Sequence, residues 1–117
     1  MADIQRIETS NRLSRVVIYN GVAYLAGQTA VDRTQDIRVQ TRDVLERIEA
    51  RLVQIGTDKT RLLTALIMLK NIKDDFVGMN EIWDAWTAPG AAPTRASLEA
   101  NLASPDVLVE IIVSAAV

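Results

Sequence analysis

One stretch limits the fold more than any other. Residues 107–113 read Val-Leu-Val-Glu-Ile-Ile-Val. Successive side chains of a strand point to opposite faces. Here both alternations are apolar, so both faces of this strand need cover. Glu110 is the one charged group in the run.

The rest of the chain supplies cover for one face only. Residues 4–7 form a short first strand. Residues 15–19 and 22–29 flank Asn20-Gly21, the strongest two-residue hairpin signal. Residues 37–55 carry Ile37, Thr41, Leu45, Ile48, Leu52 and Ile55 at steps of three and four, which predicts an amphipathic helix ended by Gly56. Asp43 and Arg47 are spaced for an ion pair on its polar face. The short apolar run from about residue 61 to 69 reads as a strand. A second helix is predicted over residues 74–87, starting at Lys73 or Asp74 and stopped by Pro89-Gly90, with Phe76, Met79, Trp83 and Trp86 as its buried stripe. Strands over roughly 94–102 and 107–115 close the chain, read as an antiparallel pair. The predicted order is β-β-β-α-β-α-β-β in one domain, an α+β arrangement. Two helices cover one face of such a sheet. Neighbouring subunits are the expected cover for the other, which predicts an obligate oligomer.

Composition then removes chemistries. The 117 residues include no cysteine and no histidine. That excludes disulfides, thiolate metal sites, a cysteine nucleophile and the commonest general base. A formal charge of -2 with no basic block argues against nucleic acid as a partner. No stretch approaches the roughly 18 apolar residues that span a bilayer, and the first residues do not resemble a secretion signal. A cytoplasmic location is the expectation.

Four residues remain as candidates. Arg95, on a short alternating segment, presents a planar fork that matches a carboxylate; alternatively it pairs with Glu99 or another acid at the surface. Glu110, among Val, Leu and Ile, is expected to be partly buried, which raises a carboxyl pKa and suits an acid or base; alternatively it has a structural partner or lies at a sheet edge. Gly27, in Leu25-Ala26-Gly27-Gln28, lets a ligand approach the backbone, or marks a bulge. Ser97 shares a strand face with Arg95 but has no histidine to activate it. Trp83 and Trp86 are expected to be core or interface anchors.

Several of these segments together resemble the YjgF/RidA superfamily of reactive-intermediate (enamine/imine) deaminases, and its small YoaB-type branch. They are Ala26 to Asp32 (AGQTAVD), the helix ending at Ile55-Gly56, Asp74 to Trp86 (DDFVGMNEIWDAW), Pro93-Thr94-Arg95, and Asp106 to Ile111 (DVLVEI). Arg95 and Glu110 keep the family's separation of 15 positions. The resemblance implies a chorismate-mutase-like mixed sheet with two helices on one face, assembled as a barrel-like homotrimer with clefts between subunits. It implies hydrolysis of 2-imino or enamine acids to 2-keto acids and ammonia, without metal or cofactor. Arg95 matches the arginine that holds the substrate carboxylate, and Glu110 the acid that acts on water and the departing amine. Gly27 and Ser97 match backbone positions lining the cleft. The family's best-studied branch has Gly-Pro and an aromatic residue before the second strand; this chain has Asn11-Arg12-Leu13-Ser14. A non-catalytic module that binds or senses a keto acid, and an RNA-directed or chaperone-like role, are the rival expectations.

Overall fold

Asn20 and Gly21 take φ of +51° and +77°, as a type I′ hairpin turn requires. The turn joins Ser14–Tyr19 (β2) to Val22–Leu25 (β3), and Gln5–Thr9 (β1) pairs with the far side of β2. These features come from a computed structural model, which describes residues 3–117. The strand predicted over 22–29 is shorter than expected. It stops at Leu25 and resumes as one bridge, Gln28 to Ile111.

The first helix, Ile37–Gln54 (α1), starts where Asp36 accepts the Val39 N–H at 3.0 Å. Ile37, Thr41, Leu45, Ile48 and Leu52 are buried, as their spacing predicts. The Asp43–Arg47 pair does not form. Asp43 accepts the Val31 N–H at 2.7 Å, and Arg47 donates to the Gln28 side chain at 3.4 Å. Each group finds a partner in the preceding loop rather than along its own helix. The second helix, Ile72–Trp86 (α2), begins ahead of Lys73 and Asp74, with Asn71 as its cap. The Ile72 N–H is met by the Glu99 carboxylate at 3.0 Å, which satisfies one of the donors a helix start leaves open. Gly78 lets the helices touch: a Cβ there would lie 2.9 Å from Ile37 Cγ2.

Leu62–Leu69 (β4), Thr94–Glu99 (β5) and Val109–Ala116 (β6) complete a six-stranded sheet in the order β1-β2-β3-β6-β4-β5. The reading of β5 and β6 as an antiparallel pair is corrected here. β4 lies between them, parallel to β5 and antiparallel to β6. Parallel neighbours need a long crossover, and α2 supplies it. The most apolar strand, β6, takes the interior position between β3 and β4. Gln40, fully buried, fixes its approach. Its amide donates to the carbonyls of Gln35 and Asp106 at 3.1 and 3.0 Å and accepts the Leu108 N–H at 3.0 Å.

The sheet therefore has two unlike faces. Val16, Ala23, Leu25, Ala65, Ile67, Leu69, Val109, Ile111, Val113 and Ala115 join α1 and α2 in one core. The opposite face has no helix over it among the described residues. Tyr24 is 53% exposed, and Leu63 and Leu98 are 41% exposed. A shallow groove of about 380 Å³ runs between Val22, Tyr24, Leu63, Ile112 and Ser114. Among the described residues no helix is long and apolar enough to cross a membrane.

Candidate active site

Arg95 lies on β5, the edge strand beneath α2. Its Nη1 donates to Asn80 Oδ1 at 2.7 Å. Its guanidinium carbon lies 5.6 Å from the Trp83 ring centre and 5.9 Å from that of Phe76, within cation–π range. No ion pair joins Arg95 to an acid among the described residues. The alternative pairing with Glu99 does not occur, because Glu99 caps α2. Arg95 is thus a cation held by a neutral amide and two ring faces, with Nε and Nη2 free of partners among the described residues. That arrangement can grip a planar carboxylate edge-on.

Ser97 sits two residues along, on the same face. Its Oγ is buried and has no hydrogen-bond partner.

Glu110 is half-buried on β6 and packs against Gly27. A Cβ on Gly27 would come within 2.3 Å of Glu110 Oε2, so the missing side chain is what makes room for the carboxylate. The bridge between Gln28 and Ile111, two hydrogen bonds of 3.0 and 3.1 Å, fixes the two backbones at this spacing. Gly27 and Glu110 form one unit, and Arg95 and Ser97 another.

The two units are apart. Ala65 of β4 is in register with Arg95 on one side and Val113 on the other, whereas Glu110 is level with Met68 and Leu98. Three residues along and two strands across amount to about 10 Å in each direction. An odd offset also reverses the face. Arg95 faces α2 with Val113; Glu110 faces the uncovered side. One chain therefore does not bring the two into a shared cleft.

Asn80 and Phe76 were not among the sequence candidates. The signal was present: Phe76, Asn80 and Trp83 follow at i, i+4 and i+7 and share one helix face. Read as a hydrophobic stripe, that spacing hides an amide and a half-exposed ring that serve an arginine on another strand. The segment Asn11 to Ser14 is a bend that runs into the first residue of β2, and Ser10 Oγ accepts the Arg12 and Leu13 N–H groups at 3.1 and 3.2 Å. Among the described residues no group of three or more acids, histidines or cysteines is arranged to hold a metal ion.

A six-stranded mixed sheet with two helices on one face places the chain in a small α+β class of YjgF type. Comparison with known proteins agrees. The profile of the family described as "Endoribonuclease L-PSP" matches residues 3–117, and the chain belongs to this YjgF/RidA family. It is 47% identical to a RutC family protein of Haemophilus ducreyi over 97% of both chains. It is 40% identical to the RutC family protein YoaB of Escherichia coli K12, over 97% of this chain and 98% of that one. A crystal structure of a YjgF family member from Neisseria meningitidis superposes with a TM-score of 0.92 at 39% identity, covering 97% of this chain and 94% of the other.

Proposed function

We propose that the chain hydrolyses reactive 2-imino and enamine acids to 2-keto acids and ammonia, in clefts shared between copies of the chain. The observation that carries this reading is Arg95, an unneutralised guanidinium already oriented by Asn80 and flanked by Phe76 and Trp83. Such a group is suited to binding a carboxylate and has no structural ion pair to break first. The family relationship supports the reading, as do the uncovered apolar face and the placing of Glu110 on it.

Arg95 binds the substrate carboxylate. Water adds through oxygen to the protonated imine carbon, and Glu110 accepts a proton from that water. Glu110 returns the proton to the nitrogen; as the carbon–nitrogen bond breaks, the hydroxyl proton passes to the departing ammonia, which leaves as ammonium together with the 2-keto acid. Glu110 ends as it began. Imines are already electrophilic, so orientation and proton transfer suffice, the latter contributing on the order of 10²- to 10⁴-fold. Gly27 keeps the space in which the Glu110 carboxylate lies, and the β5 backbone at Ser97 lines the carboxylate end. The cleft needs Arg95 and Ser97 from one chain and Gly27 and Glu110 from another, and a homotrimer supplies this by symmetry.

Arg95→Ala is the direct test. Imino acids generated by an amino-acid oxidase should then decay at the uncatalysed rate, with the fold unchanged. Clearance equal to the native protein's would contradict the mechanism. A second reading, a non-catalytic keto-acid binder, is favoured by the separation of Arg95 from Glu110 within one chain. It predicts that Glu110→Gln keeps both ligand binding and biological role. The family's endoribonuclease description points instead to RNA, against which stand a formal charge of -2 and the lack of a basic block.

A further inference from the structure

We infer that Asn80 is a positioning residue: its side-chain oxygen sets the rotation of the Arg95 fork, so that the edge presented to ligand is the Nε/Nη2 edge. The inference deepens the carboxylate-binding reading above and rests on it for its functional consequence.

An arginine on an edge strand has four soft torsions and, left alone, samples many orientations at an entropic cost to any ligand that must select one. Arg95 is constrained from three sides instead. The Trp83 ring, 5% exposed and fixed in the core, lies at 5.6 Å. The Phe76 ring, 36% exposed, lies at 5.9 Å. These contacts limit where the guanidinium sits but are tolerant of its rotation in plane. The hydrogen bond from Nη1 to Asn80 Oδ1, 2.7 Å, removes that freedom. It is short, as charge-assisted bonds are.

The choice of an amide has a consequence. A carboxylate at position 80 would hold the fork equally well but would neutralise it, and would compete with the ligand's own carboxylate. An amide oxygen fixes the geometry and leaves the positive charge for the ligand. All three residues lie on one face of α2, so the helix positions them as a unit.

The test begins without ligand. In protein labelled with ¹⁵N-arginine, the Arg95 Nη groups should give resolved, slowly rotating resonances. Asn80→Ala should merge them by fast rotation, and Asn80→Asp should keep them resolved. Titration with 2-ketobutyrate follows. Asn80→Ala should weaken binding about tenfold, the size expected for a hydrogen bond to a charged group. Asn80→Asp should weaken it at least as much, despite a well-held fork. Adding Asn80→Ala to Arg95→Ala should cause no further loss. Resonances already merged in the native protein, or unaltered by Asn80→Ala, would overturn the inference. So would a tenfold loss that persists without Arg95. If the native protein bound no keto acid while its Nη signals behaved as expected, the carboxylate reading would fail and the positioning of Arg95 would stand.

Discussion

The two faces of the sheet differ in what one chain can finish. On the helix side, α1 and α2 bury a continuous core, and Arg95 already has every contact that orients it. On the open side, Glu110 has Gly27 beneath it but no cationic partner among the described residues, and Tyr24, Leu63 and Leu98 stand exposed. Folding and half of the proposed site are thus encoded within the chain. The other half of that proposed site lies on a surface whose apolar character fits another copy. Under the proposed function, the difference explains how an acid and an arginine 15 positions apart in sequence can belong to one reaction while facing opposite ways.

A matched pair of substitutions gives the largest contrast. Met79, fully buried against the helix side, should lose about 2–5 kcal/mol on replacement by Ala, seen as a lower midpoint in urea at any protein concentration. Tyr24→Glu, on the open face, should leave the single chain folded and break the assembly, since an unpaired charge buried at an interface costs several kcal/mol. Light scattering should then give the mass of one chain. A Tyr24→Glu protein that keeps the native mass would remove the distinction between the faces.

Gly27→Ala has a middling effect. The new Cβ displaces the flexible Glu110 carboxylate rather than backbone. Turnover should fall about tenfold, within the contribution of a placed acid–base group, while the melting temperature changes little. A large loss of stability would mean that Gly27 serves the fold and not the carboxylate.

The smallest effect is expected at Ser97. Its hydroxyl is buried without a partner, so Ser97→Ala should be neutral or stabilising by about 1 kcal/mol. Keto-acid binding should persist, because the proposed contribution at this position is backbone. Loss of binding in Ser97→Ala would assign the hydroxyl itself to the ligand.

Local signals carried much of this in the sequence. Asn20-Gly21 specified its turn, and the three-four spacing from Ile37 to Leu52 specified α1, because both depend on neighbours along the chain. The apolar run around Glu110 marked a strand needing two covered faces, and β6 is interior. What was not legible is the order of strands. Nothing near Arg95 or Glu110 records that β4 comes between them, since that depends on pairing across 30 to 50 residues. The same limit hid the faces. Alternation shows that Arg95 and Ser97 go together, but not which way they point. Asn80 was hidden for a related reason: its partner lies on another element. Asp43 shows the converse, where a sound local rule lost to a backbone donor at Val31 that the rule does not consider.

The central claim is that Arg95 and Glu110 act from different chains. Arg95→Ala and Glu110→Gln proteins, each inactive alone, are unfolded together, refolded as mixed oligomers and assayed for imino-acid hydrolysis. If each cleft takes Arg95 from one chain and Glu110 from its neighbour, random mixing should restore about one quarter of native activity. If mixed oligomers form and remain inactive, both residues belong to one chain's site, and the account is wrong.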